Sequence, residues 1–187
     1  MKMEKIYAAI EAILFTMGES VEAAKIASAI DCDVATTTRI IHNMMDRYEQ
    51  EERGIRIIEL DGSFQLCTKG DTYEYIVKVA AQPKKQMLTD VLLETLSIVA
   101  YKQPVTKQEI EAIRGVKCEH AINKLIEYEL ICEVGRLDAP GRPLLFGTTE
   151  EFLRAFGVKS VDDLPIISQD KLDDFRHEAE EETKIDI

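Results

Sequence analysis

The residues best suited to chemistry gather in 135–149, GRLDAPGRPLLFGTT, where Arg136 and Arg142 sit among glycines and prolines ahead of an apolar run. Gly141-Arg142-Pro143 is the tripeptide core of hooks that enter the DNA minor groove. Such hooks need neighbouring cations, and here Asp138 and apolar residues flank it instead. A phosphate cradle would require a Gly-Lys ending between a strand and a helix, which this stretch lacks. Pro140 and Pro143 restrict the backbone around Gly141, so the segment reads as a stiff turn holding Arg136 and Arg142. It serves either as a plain hairpin connection or as a contact for a partner.

No other set of residues combines a nucleophile, a base and an orienting group. The sequence has no GxSxG, GxxxxGK[ST] or HExxH, and no GxGxxG after a strand-like run. Acid pairs such as Asp173-Asp174 lie in polar, solvated stretches. Cys118 and His120 are two apart and would point to different faces of a helix; His42 and His177 stand alone. The four cysteines, Cys32, Cys67, Cys118 and Cys132, form no CxxC pair and read as buried or semi-buried thiols. No enzyme, cofactor or metal is expected.

The elements around these residues repeat. A first pass opens with a helix over roughly 3–17, with Met3, Ile6, Tyr7, Ile10, Ile13, Leu14 and Met17 at a 3.6 period. A short helix follows a turn at Gly18, then a longer one carries Ile40, Ile41, Met44, Met45 and Tyr48 on one stripe. GIRIIEL and FQLCT around Asp61-Gly62 read as a hairpin. The second pass opens with LTDVLLETLSIVAY, with Leu92, Leu93, Leu96, Val99 and Ala100 facing the core. Thr106 and Glu109 form a capping box, with Val105 and Ile110 as its hydrophobic staple. CEHAINKLIEYE turns Ala121, Ile122, Leu125 and Ile126 inward; a second hairpin follows, and Thr148 with Glu151 caps a closing helix. EAILFTMGESV aligns over TLSIVAYKQPV, placing Val21 over Val105. Three helices and a hairpin, twice, predict a mainly α fold with small β-hairpins: two tandem winged-helix domains, 1–82 and 87–167, parted near Pro83.

The net charge of −12 is uneven: residues 1–84 carry 10 Lys/Arg against 14 Asp/Glu, 85–160 carry 10 against 11, and 161–187 carry 3 against 10. The stretch 168–187 is therefore read as an acidic, disordered tail. No apolar run approaches the roughly 18–20 residues needed to span a bilayer, and Glu4 and Glu11 stand where a signal peptide would be basic and then apolar. A cytoplasmic protein without a membrane partner is expected. The outward residues of both third helices mix signs, Arg39 and Arg47 with Glu49, His120 and Lys124 with Glu119 and Glu127, where a groove-reading helix is normally basic. DNA contact by the chain alone is expected to be weak at most, although a winged-helix DNA-binding transcriptional regulator stays open as an alternative.

Two apolar faces are surplus to the core. Ala8, Ala12 and Phe15 lie opposite the core stripe of the first helix, as a dimer contact or as a face covered within the same domain. Val91 and Ile98 lie off the core stripe of the second domain's first helix, near Tyr101 and Arg142, and this surface is expected to meet a partner.

LETLSIVAYKQPVTKQEIEAIRGV and GRLDAPGRPLLFGTTEEFLRAFGVKSVDDLP, together with EAILFTMGESV, resemble ScpB, the segregation and condensation protein B family, from about Glu4 to Pro165. That resemblance implies a non-enzymatic subunit of the bacterial SMC–ScpA–ScpB complex, nucleoid-associated and acting in chromosome condensation and segregation. It implies a homodimer formed mainly through the N-terminal domain, which binds the kleisin ScpA. The SMC ATPase is then reached indirectly through ScpA, and DNA through the assembled complex. On this reading Ala8, Ala12 and Phe15 fall to the dimer, and Val91, Ile98, Tyr101 and Arg142 to the kleisin.

Overall fold

The computed structural model describes residues 3–80 and 87–165. The expected break around Pro83 and the expected acidic tail, 168–187, lie outside the described residues. Two winged-helix units are built in the same order. The first has α1 (Met3–Met17), β1 (Val21–Glu22), α2 (Ala23–Ala29), α3 (Val34–Gln50), β2 (Ile55–Leu60) and β3 (Ser63–Thr68), followed by a short α4 (Tyr73–Ile76). The second has α5 (Asp90–Lys102), β4 (Val105–Thr106), α6 (Lys107–Arg114), α7 (Glu119–Glu127), β5 (Ile131–Arg136), β6 (Leu144–Thr148) and α8 (Glu150–Phe156).

Each unit has a three-stranded antiparallel sheet, ordered β1-β3-β2 and β4-β6-β5. The two-residue strands β1 and β4 escape periodicity analysis because they are too short to alternate. They occupy matching places: Val21 pairs with Phe64, and Val105 with Phe146. The repeat that aligned Val21 with Val105 is thus visible as a sheet register.

The expected helix faces form the cores with a few displacements. α1 buries Ile6, Ile10 and Leu14, whereas Met3 and Met17, expected in the same stripe, lie more than half exposed where the helix begins and ends. Leu93 and Ile126 were expected to face inward and are exposed, because each lies on the flank of a stripe that Leu92, Leu96 and Leu125 fill. The start of α6 is as expected: Thr106 Oγ1 accepts from the Glu109 N–H, and the Thr106 N–H donates to Glu109 Oε2 at 2.8 Å. The closing helix caps one residue later than expected. Thr149, not Thr148, accepts from the Phe152 N–H, because Thr148 ends β6 and binds the Gln103 side chain.

The first hairpin turns on Asp61-Gly62, both with positive φ (47° and 77°), the conformation a two-residue type I′ connection demands. Its strand β2 is apolar on both faces. Ile55 and Ile57 belong to the first core, while Leu60, almost fully buried, and Ile58 belong to the second. The turn is held from the second unit: the Asp61 N–H donates to the Lys159 carbonyl at 2.8 Å. Ser20 donates to Glu150 Oε2 at 2.6 Å, and Arg154 Nη1 donates to Gln65 Oε1 at 3.0 Å.

Candidate interaction surfaces

The outer face of α1 follows from helix geometry. Burial of Ile6, Ile10 and Leu14 turns Ala8, Ala12 and Phe15 outward, four and three residues apart on one strip. Phe15 is 77% exposed, and Ala8 and Ala12 are exposed with it. Of the two alternatives for this face, cover from the same unit is absent among the described residues. Exposed Met17 and Met3 widen the apolar surface at its two ends.

Beside Ala8, a groove of about 200 Å³ opens between α1 and α3, bordered by Tyr7, Glu11, Arg47, Tyr48 and Arg53. Two cations stack on its aromatic walls, Arg47 over Tyr7 at 5.3 Å and Arg53 over Tyr48 at 4.6 Å. The Tyr48 hydroxyl is buried without a hydrogen-bond partner among the described residues. Burial pushes its pKa up, and the nearby Glu11 carboxylate adds to this, although Glu11 does not complete a hydrogen bond with good geometry. This groove was not anticipated, because Tyr7 and Tyr48 fit the core stripes, and Arg47 lies forty residues from Tyr7 in sequence.

The three α5 residues expected at a partner surface would all be exposed; Val91 is half exposed and Tyr101 is 42% exposed. Ile98 departs from that expectation: it is half-buried and packs against the second core. The Tyr101 hydroxyl donates to the Pro165 carbonyl at 2.7 Å, so the chain passes this end of α5. Arg142 lies on a different element, the turn joining β5 to β6, and no hydrogen bond or ion pair among the described residues links it to α5. Its backbone is left-handed (φ 41°), and its carbonyl accepts from Arg136 Nη1 at 3.2 Å. The stiff turn expected from Pro140 and Pro143 is therefore present, with one arginine ordering the backbone of the other.

Two lysines on the helices of the second unit are paired with neighbouring acids. Lys107 pairs with Glu119 at 2.8 Å and Lys124 with Glu127 at 2.9 Å, and each carboxylate raises the pKa of its lysine through that hydrogen bond. All four cysteines are free thiols. Cys132 corrects the expectation of burial, being exposed on the edge strand β5, where only Ile131 turns fully inward. Burial raises the thiol pKa of Cys118. Among the described residues no group of three His, Cys, Asp or Glu is arranged to hold a metal, and no helix is long and apolar enough to cross a membrane.

Residues 8–167 match the family described as segregation and condensation complex subunit ScpB. The chain is 66% identical, over all of its length and 99% of the relative's, to segregation and condensation protein B of Lachnoclostridium phytofermentans. The corresponding protein of Agathobacter rectalis is 61% identical, with 96% of this chain and 98% of the relative covered. Among solved structures, ScpB from Mycobacterium tuberculosis is 30% identical, covering 84% of this chain and 98% of that one, with a TM-score of 0.42.

Proposed function

The chain belongs to the segregation and condensation complex subunit ScpB family, and we propose that it is a non-enzymatic subunit of an SMC complex. It dimerises through the outer face of α1 and binds the kleisin ScpA, which in turn joins it to the SMC ATPase. The dimer acts in chromosome condensation and segregation at the nucleoid, and any ATP chemistry resides in the SMC partner.

The observation that carries this reading is the bare face of Ala8, Ala12 and Phe15. A phenylalanine left in water beside small residues forgoes about 1.5–3 kcal/mol, which is recovered when a second copy covers it. Alanines at spacing four let two helix backbones approach closely enough for that. The exposed part of α5, Val91 and Tyr101, is the candidate kleisin surface, with Arg142 of the second wing as a contact on a separate element. A DNA-binding regulator is less well supported, since Lys107 and Lys124 each stand beside an acid, Glu119 and Glu127, that also faces solvent and would repel phosphate.

Light scattering on the full chain, then elution with an ScpA fragment, tests the proposal. A mass of twice 21.2 kDa and co-elution are expected. A monomer that ignores the ScpA fragment refutes it. Tight duplex binding by the chain alone, lost steeply with added salt, would revive the regulator.

A further inference from the structure

The wing of a winged helix usually projects into solvent or a nucleic-acid groove. In the first unit it does neither. We propose that the β2–β3 wing is an interaction surface whose partner is the chain's own second unit, joining the two winged helices into one cooperative body of fixed relative orientation.

The argument begins with strand period. Successive side chains of a strand point to opposite faces, so IRIIEL divides into an odd face (Ile55, Ile57, Glu59) and an even one (Arg56, Ile58, Leu60). A wing used on an outside ligand would be apolar on the odd face alone. Here Ile58 and Leu60 extend the second core, and Leu60 is only 2% exposed. Without the second unit, these two side chains would face water.

The polar contacts sit around that apolar plug and cross between units at three separate elements. The Asp61 N–H meets the Lys159 carbonyl at the turn, Arg154 of α8 reaches Gln65 of β3, and Ser20, just before β1, reaches Glu150 at the start of α8. Arg154 also contacts Glu151 at 2.9 Å and Glu150 at 3.4 Å, so the guanidinium is set before it meets Gln65. Three contacts from three elements leave no single axis about which the units turn freely. The turn itself offers nucleic acid nothing, since Asp61-Gly62 brings a carboxylate and no cation.

Two measurements on the full chain test this. In a chain with Cys32, Cys67 and Cys132 replaced by serine, Glu59→Cys with Lys159→Cys, side chains 4.0 Å apart across the two units, is treated with a short bis-maleimide at high dilution. A cross-linked monomer is expected. Absence of linkage, or linkage only between copies, overturns the proposal. Hydrogen exchange then reports cooperativity. Leu60→Ala, although in the first unit, is expected to speed exchange of α5 and α7 amides at least tenfold. Ile57→Ala, on the odd face, is expected to do the same. If Leu60→Ala does not fold, Ile58→Ala, a half-buried site, replaces it with the same expected direction. Acceleration confined to the first unit overturns the proposal.

Discussion

Ile57 and Ile58 are neighbours in sequence, yet their side chains pack into different cores. The peptide bond between them carries the strand from one winged helix to the seam with the other. Position on β2 therefore decides the cost of a charge. Leu60→Asp places a carboxylate in the second core, where β2 meets α8, and is expected to abolish folding of the whole chain. Arg56→Asp, two residues before Ile58 on the same face but exposed, is expected to change stability by no more than about 0.5 kcal/mol. Urea titration followed by circular dichroism distinguishes them.

Phe15→Glu tests the dimer without risk to the fold. The side chain is exposed, so the monomer is expected to keep its stability to within about 0.5 kcal/mol. Two carboxylates brought together at a two-fold contact oppose association, and the measured mass is expected to fall to that of one chain. An unchanged dimer would move the interface off α1.

Thr106→Ala removes the cap of α6, where the threonine side chain is buried. A loss of about 1 kcal/mol is expected. The acid range supplies a second readout. The Thr106 N–H, and then its hydroxyl, hold the Glu109 carboxyl below the usual carboxylate value. A depressed folded value means that this contribution is present above about pH 4.3 and lost as pH falls through the lowered value. The gap between wild type and T106A, read by denaturation at pH 7 and at pH 3, is expected to narrow in acid.

Gly147→Ala addresses the second sheet. A Cβ there would stand 2.8 Å from Val134 Cγ1 and 2.9 Å from Gln103 Oε1. Gln103 cannot yield easily, since its Oε1 accepts from the Thr148 N–H at 2.7 Å. A loss of about 1–3 kcal/mol is expected, measured by thermal melting. Gln103→Ala in the same chain relieves part of the crowding, so the double variant is expected to lose less than the sum.

Tyr48→Phe removes a hydroxyl that is buried without a partner. Stability at neutral pH is expected to stay level or rise by up to about 1 kcal/mol. The raised folded pKa sets the alkaline sign. The neutral phenol's contribution is complete below about pH 10 and is lost as pH rises through the folded value. The variant is therefore expected to resist alkali better than wild type, by circular dichroism from pH 8 to pH 11.

Much of this was legible in advance because it is local. The Thr106–Glu109 box, the Asp61-Gly62 turn and the stripes of α1 and α3 each depend on residues a few positions apart. The second apolar face of Ala8, Ala12 and Phe15 followed from periodicity, but that it is bare did not. Less legible was what depends on the second unit's position. GIRIIEL reads as a strand, but its double apolar face signals a second layer only if both faces are counted. Ile98 is half-buried, where the stripe of α5 alone would leave it outside, because it packs against a core gathered from distant parts of the chain. Cys132 follows from sheet order, which places β5 at an edge, and strand order is not written in any short window.

The exposed edge of β5 carries a consequence for life in a crowded assembly. Its pairing with β6 slips between Glu133 and Gly135, so Val134 stands as an extra residue and the ladder is interrupted. A regular open edge invites the same edge of another molecule to continue the sheet. With a kink at Val134 and charges at Glu133 and Arg136, this one offers a poor template. Copies brought close together can thus remain separate molecules rather than zip into filaments.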